Sequence, residues 1–232
     1  MLEPKVIYVD INFVAIDKPQ GLLVHAARSD GATKSKTLVG WVLKKYPETA
    51  HVGDDIRVRP GIVHRLDRET SGIMLIPRTQ AYFEYLKKLF KDREIQKKYL
   101  AVVEGNVKKK HGVVNAPIGI VTGRVKRSLT SSRMKKDAMT EYVVRMRFTR
   151  EGREYSLVEI SPKTGRTHQI RIHMASLGHP IVGDALYGKK MEGVTLMLHA
   201  ESVSFLREKG SAITLSAGFP PRFKEFIKIN KH

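Results

Sequence analysis

Apolar and polar positions along this chain follow two periods, and the switches between them mark out the elements. Val6–Val9 and Phe13–Ile16 are short apolar runs flanking Asp10-Ile11-Asn12, the pattern of a hairpin. Lys18-Pro19-Gln20-Gly21 reads as a turn. Thr37 can cap a helix carrying Leu38, Trp41, Val42 and Lys45 at helical spacing. Residues 47–61 contain Pro47, Gly53, Pro60 and Gly61 and read as loop, after which Ile73–Ile76 forms a short apolar strand. Thr79 caps a second helix with Tyr82, Leu86, Leu89 and Phe90 on one face.

The second half continues in the same way. Lys98–Val103 is a strand, and Thr140–Phe148 and Tyr155–Ile160 are strands around the turn Arg150-Glu151-Gly152. Pro162-Lys163-Thr164-Gly165 is a turn, and Thr167 opens a helix with Ile170, Met174 and Leu177 on one face. Val194–Leu198 and Ala212–Leu215 read as strands, and Pro220 and Pro221 precede a last helix carrying Phe223, Phe226 and Ile227. Strands outnumber helices and short turns join many neighbours. That predicts an α+β fold with a mixed, largely antiparallel sheet flanked by helices. No repeat or low-complexity linker divides the chain, so 1–232 is expected to form a single domain, long enough to bury a sizeable core.

Charge changes the picture more than composition does. There are 42 Lys plus Arg against 23 Asp plus Glu, a formal net charge of +19. Such an excess favours a polyanionic partner, because neutralising phosphates releases their counterions. The stretch 107–136 holds nine Lys or Arg and no Asp or Glu, interrupted by Gly112, Pro117, Gly119 and Gly123. Lys126, Arg127, Arg133, Lys135 and Lys136 in it are candidates for gripping RNA. Cysteine is absent, which removes disulfides, thiolate nucleophiles and the Cys-ligated zinc of base deaminases. No run approaches the ~18 apolar residues of a membrane span, and the first residues lack a charged leader followed by an apolar stretch. A soluble, cytoplasmic protein is expected.

Three segments carry candidate chemistry: Gly61-Ile62-Val63-His64-Arg65-Leu66-Asp67-Arg68-Glu69-Thr70-Ser71-Gly72, Lys97-Lys98-Tyr99-Leu100-Ala101, and 163–173, Lys163-Thr164-Gly165-Arg166-Thr167-His168-Gln169-Ile170-Arg171-Ile172-His173. Asp67 lies among polar residues between apolar runs, with glycine at each end of its segment. Loops held by rigid strands are where catalytic groups concentrate. Composition alone leaves two readings open, a catalytic carboxylate or an Asp that caps a turn and pairs with Arg65 or Arg68.

The order and content of these segments resemble the RluA family of pseudouridine synthases. His64-Arg65-Leu66-Asp67 with Thr70-Ser71-Gly72 is similar to the family's catalytic signature, Lys98 and Tyr99 to its second motif, and 163–171 to its third. Lys18-Pro19 with Gly21-Leu22, Gly183-Asp184 with Leu186-Tyr187-Gly188, and Leu198-His199-Ala200 extend the similarity over about residues 6–226. His64 stands where the related small-subunit rRNA branch has glycine. Two departures are visible: many members carry an N-terminal S4 RNA-binding domain, whereas this chain begins at the catalytic domain, and Pro77 follows the signature strand where an aliphatic residue is usual.

The resemblance implies the pseudouridine synthase fold and an isomerisation in which the C1′–N1 bond of a uridine breaks, the base rotates, and C5 bonds to C1′. A carboxylate at Asp67 starts this either as a nucleophile at C1′ or as a base at C2′. The uridine must leave its stack first. By the same resemblance, Tyr99 stacks on the flipped uracil and helps remove the C5 proton, and Arg166 holds the Asp67 carboxylate ionised. Arg65 fills the gap left by the base and Arg68 contacts RNA, while Leu75 and Ile170 wall the uracil pocket.

No cofactor is implied. His168 and His173, five residues apart on a helix, point about 140° from each other and make a poor ligand pair, and no His-Glu-x-x-His or phosphate-binding glycine loop occurs. The expected partner is structured RNA, a stem-loop of rRNA or tRNA, bound by a monomer with no membrane association. The alternative is a non-catalytic RNA-binding or chaperone protein on the same scaffold, which would have no need of Asp67, Tyr99 and Arg166 together.

Overall fold

The computed structural model describes residues 2–26, 36–120, 127–131, 133–208 and 210–228. The strands are β1 (Lys5–Val9), β2 (Phe13–Lys18), β3 (Ser71–Pro77), β4 (Gln96–Glu104), β5 (His111–Asn115), β6 (Gly119–Ile120), β7 (Arg127–Ser128), β8 (Met139–Arg150), β9 (Arg153–Pro162), β10 (Leu198–Leu206) and β11 (Ala212–Ser216). The helices are α1 (Leu38–Lys45), α2 (Gln80–Asp92), α3 (Gln169–Ser176) and α4 (Pro221–Ile227), with a 3-10 turn at Pro47–His51. The fold is α+β, with a mixed, largely antiparallel sheet. No helix among the described residues is long and apolar enough to cross a membrane. The chain divides into two compact units, 1–96 with 200–218 and 97–199 with 219–232.

In the first unit, strands run in the order β1, β2, β3, β10, with β11 on β10. The hairpin expected at Asp10-Ile11-Asn12 forms because Asp10 Oδ1 accepts from the amides of Asn12 and Phe13, an Asx turn. Strand β3 is buried along its whole length, which is why Ser71–Pro77 reads as a continuous apolar run rather than an alternating one. Thr37 and Thr79 cap α1 and α2 as their positions predict, accepting from the amides of Gly40 and Tyr82. Tyr82, Phe83, Leu86 and Leu89 turn inward, packing with Phe13 and its neighbours; the Phe13 and Tyr82 rings stack at 5.3 Å. Gly72 is forced to be glycine. Its φ is +118°, and a Cβ there would stand 2.6 Å from the Ala200 amide nitrogen on β10.

In the second unit the order is β4, β9, β8, β5. The β8–β9 hairpin turns through Glu151 and Gly152, both with positive φ (51° and 71°), the conformation that matches strand twist in a two-residue turn. Helices α3 and α4 supply Ile170, Met174, Phe223 and Phe226 to a core that also holds Leu100, Val102, Val158 and Ile160. Phe226 meets both Phe148 and Tyr155 edge-on, at 6.3 and 5.2 Å.

Several expectations are corrected. The strand read at Val194–Leu198 starts only at Leu198 and runs to Leu206; residues 194–197 are extended chain in which Leu196 and Met197 are buried without a full ladder. Helix α3 is not opened by Thr167: His168 precedes it in the left-handed conformation, φ 57°, with no side-chain cap. Leu177 falls past the helix end and is exposed, so only Ile170 and Met174 of the predicted face are buried. Part of the 47–61 loop is also the short Pro47–His51 turn.

His173 illustrates how this unit accommodates a polar core. Its Nε2–H donates to the Ala116 carbonyl at 2.9 Å, which leaves Nδ1 to accept from the Thr140 hydroxyl at 2.8 Å. Thr140 Oγ1 in turn accepts from Gln169 Nε2. Burial holds His173 below the ordinary histidine pKa, outweighing its bond to Ala116.

Unfolding measurements test both contacts. Gly72→Ala should cost at least about 3 kcal/mol, against about 1 kcal/mol for the cap variant Thr79→Ala, in urea unfolding; equal midpoints for the two would contradict the close approach at Ala200. The neutral His173 binds its proton less tightly folded than unfolded, so its contribution is present above about pH 6.5 and is lost as pH falls below that value. Urea midpoints measured from pH 7.5 down to 5 should therefore fall less steeply in His173→Gln than in the parent, and parallel curves would exclude the effect.

Candidate active site

In the first unit, Asp67 lies on the loop entering β3, and that loop is fastened to the turn after β2 from several directions. Lys18 is fully buried, with no exposed surface. Its ammonium donates to the carbonyls of Pro19 at 3.0 Å, Leu22 at 2.9 Å and Arg68 at 3.2 Å. The Arg68 carbonyl also accepts from the Gly21 amide at 2.9 Å, and Arg68 Nε returns a bond to the Gly21 carbonyl at 3.0 Å. Gln20 Nε2 donates to the Glu69 carbonyl, and the Thr70 amide donates to the Asp67 carbonyl, closing a turn. The backbone that follows Asp67 is thus fixed, and the Asp67 side chain is half-buried.

The side chains around it divide. Arg65 is exposed, and Arg68 is exposed beyond the Nε bond to Gly21. His64 works structurally. Its Nε2 accepts from the Leu75 amide at 2.8 Å, while its ring packs on Phe90 at 4.6 Å. Nε2 must be unprotonated to accept, so the proton of the neutral ring sits on Nδ1. The histidine thereby ties the loop to the strand that carries Leu75, whose side chain is fully buried.

In the second unit, Tyr99 stands near the start of β4 opposite Ile160, partly buried against the core. The adjacent Lys98 pairs with Glu159 at 3.3 Å, and Arg145 pairs with the same carboxylate. Burial raises the Glu159 pKa, but these two cations outweigh it and hold it below the ordinary value. Arg166 lies between β9 and α3, half-buried, with Nε donating to the Asp137 carbonyl at 3.0 Å. Gln169 organises this loop. Its Oε1 accepts from Thr164 Oγ1 at 2.7 Å and from the Arg166 amide at 3.0 Å, and its Nε2 donates to Met139 O and Thr140 Oγ1. Both acceptor positions and both donor hydrogens of that amide are used. Ile170, the next residue along α3, is buried.

The basic stretch 107–136 is not one loop. Lys108–Lys110 lead into β5, an edge strand, while the described residues of 116–138 pair among themselves and are termed the arm below. Within the arm, Ile118 and Lys136 exchange both backbone bonds, Ile120 N donates to Arg133 O, and β6 pairs with β7. Arg133, Lys135 and Lys136 are exposed and Arg127 half-buried; Lys126 lies outside the described residues. Arg127, Lys136 and Arg166 line one cavity of about 260 Å³, together with Ile118, Ile120 and Met134. Arg127 and Lys136 therefore share a cavity with the third-motif arginine, which the linear spacing did not reveal. His168 and His173, the poor ligand pair, have the Tyr187 hydroxyl, Thr140 and Ala116 as neighbours instead.

Sequence reasoning gave no role to Lys18, His64, Gln169 or Tyr187, although each falls in one of the motifs. A lysine beside a proline turn reads as surface, since lysine is rarely buried unless satisfied. Its position is explained by its partners, the carbonyls around it among them.

The chain is similar to known proteins over most of its length. A family model described as RNA pseudouridylate synthase matches residues 12–176. Ribosomal large subunit pseudouridine synthase D of Borreliella burgdorferi is 36% identical over 96% of this chain and 67% of its own length. An uncharacterized RNA pseudouridine synthase of Aquifex aeolicus is 39% identical over 92% of this chain and 64% of its own, and the synthase D of Xanthomonas campestris is 41% identical over 90% and 60%. The chain thus spans 60 to 67% of the length of these three relatives. Among solved structures, human RNA Pseudouridylate Synthase Domain Containing 4 superposes with a TM-score of 0.73 at 25% identity, covering 95% of this chain and 90% of that one. Human RNA Pseudouridylate Synthase Domain Containing 1 gives 0.76 at 24% identity over 94% and 84%, a likeness of fold. On the family match and the identity to these relatives, the chain belongs to the RNA pseudouridylate synthase family of isomerases, in its RluA-type branch.

Proposed function

We propose that this chain converts specific uridines of ribosomal or transfer RNA to pseudouridine, with Asp67 as the catalytic carboxylate and 1–232 acting as one catalytic domain. The observation that carries the reading is the fastening of the Asp67 loop. Lys18, Gly21 and Gln20 hold the backbone at Arg68 and Glu69, so the chain that carries the carboxylate is held in place before substrate arrives. Preorganisation of a reacting group is what a catalyst needs and a passive RNA binder does not.

In this reading Asp67 either attacks C1′ or removes the C2′ proton, and the C1′–N1 bond breaks with its electrons on the uracil. The uracil turns, C5 bonds to C1′ as the Asp67–C1′ bond breaks on the first route or as C2′ regains its proton on the second, and the C5 proton leaves to water while N1 gains one. Tyr99 stacks on the flipped base and assists loss of that proton. Arg166 keeps Asp67 ionised, Arg65 occupies the vacated stack position, and Leu75 and Ile170 bound the uracil. Arg68, Lys126, Arg127, Arg133, Lys135 and Lys136 bind the phosphates of a stem-loop. The enzyme acts as a cytoplasmic monomer without a cofactor.

RNA carrying tritium at uridine C5 should release it to water in the presence of the protein. Asp67→Asn should abolish release, at least about 10³-fold slower, while binding the same RNA with similar affinity. Full release by the Asn variant would refute the role of Asp67, and binding without release by the parent would favour the chaperone reading.

The arm makes a second prediction. RNA affinity should fall steeply with salt, each phosphate contact contributing about 0.7–0.9 to the log–log slope. Replacing Arg127, Lys135 and Lys136 by alanine together should reduce that slope by about 2; an unchanged slope places the RNA-binding surface elsewhere.

A further inference from the structure

One hydroxyl ties the arm to the start of α3. Tyr187 Oη accepts from the Arg127 backbone amide at 2.8 Å and lies 3.0 Å from His168 Nδ1. The oxygen takes the Arg127 N–H and also stands within hydrogen-bond distance of the His168 ring. Burial raises the Tyr187 pKa, with the Arg127 amide and Arg171 opposing, so the hydroxyl keeps its proton at physiological pH.

The residues behind Tyr187 are arranged to hold it. Asp184 is fully buried and accepts a bidentate pair from Arg171, at 2.8 and 2.6 Å. Its Oδ1 also accepts from the amides of Leu186 and Tyr187 at 2.9 and 3.1 Å, which fixes the turn carrying the tyrosine. The Arg171 guanidinium lies over the Tyr187 ring, 5.3 Å from its centre. His168 reaches the hydroxyl only from its left-handed backbone conformation, a cost for a residue with a Cβ that the surroundings must impose. On the arm side, the Tyr187 ring packs with Leu129 against Ile118, Ala138 and Ile172.

We propose that Tyr187 is a positioning residue for RNA binding, its hydroxyl holding the Arg127 backbone so that the Arg127 side chain stands beside Lys136 at the cavity that Arg166 also lines, where Arg127 and Lys136 take an RNA phosphate. This rests on the reading of the protein as an RNA-modifying enzyme. The cavity, about 260 Å³ with three cations and the apolar walls Ile118, Ile120 and Met134, suits a nucleotide of the substrate strand. Its shape depends on where the strand β7 is anchored; among the described residues β6 and β7 share two residue pairs, and the tyrosine hydroxyl is bonded directly to the Arg127 amide.

The test uses Tyr187→Phe, which keeps the ring and its packing and removes only the oxygen. In the free protein, amide hydrogen exchange at Arg127 should accelerate about tenfold, with α3 amides unaffected. Affinity for an unmodified large-subunit rRNA transcript should fall about three- to tenfold. The loss must act through Arg127: in the Arg127→Ala background, which keeps the backbone N–H, adding Tyr187→Phe should cost less than about twofold. Unchanged exchange at Arg127 overturns the anchor. Equal losses in both backgrounds overturn the positioning role and leave Tyr187 a structural residue. If the parent binds neither this transcript nor transfer RNA, the RNA-modifying reading falls, while the exchange measurement still decides the anchor.

Discussion

A buried lysine ammonium holds the candidate active loop in place. Lys18 has no exposed surface, and three carbonyls, of Pro19, Leu22 and Arg68, accept from its ammonium. Removing that charge from water is costly unless every donor is met, and here the compensation comes from two chain segments some fifty residues apart in sequence. Folding the lysine inward therefore forces the 18–22 turn and the 67–70 loop into register. The position of the Asp67 backbone results from satisfying a cation rather than from its own local preferences.

The second unit solves a similar problem with neutral groups. Gln169 and His173 sit four residues apart on α3 and meet at the Thr140 hydroxyl. Between them they engage Thr164, the Arg166 amide, Met139 and Ala116. A network so fully satisfied has one low-energy arrangement. It sets the path of the chain through Arg166 and, by way of Ala116, the root of the basic arm.

Much of the fold was legible in the sequence because strong local signals agreed with the outcome. The threonine caps at Thr37 and Thr79, the apolar run of β3 and the Glu151-Gly152 turn are each decided within a few residues. The misread segments were those where distant partners decide. Leu196 and Met197 are apolar and buried yet carry no full ladder, and His168 adopts a left-handed conformation no helix-start rule anticipates. In the same way the motifs mark Asp67, Tyr99 and Arg166 as candidates through family likeness, whereas the contacts of Lys18, His64, Gln169 and Tyr187 emerge only once their partners are located. Hydrogen bonds between residues tens of positions apart leave no periodic trace in a sequence.

The first unit is built from residues 1–96 and 200–218, so more than a hundred residues of other structure are synthesised before it can be finished. Its strand β3, buried along all seven residues, has β10 as one neighbour. As the chain leaves the ribosome, β3 therefore waits with one edge open until Ala200 and the rest of β10 have emerged. At about 5–20 residues per second that interval lasts on the order of ten seconds, long for an unpaired apolar strand. A ribosome stalled between residues 97 and 199 would leave a nascent chain with the β3 edge that pairs with β10 uncovered.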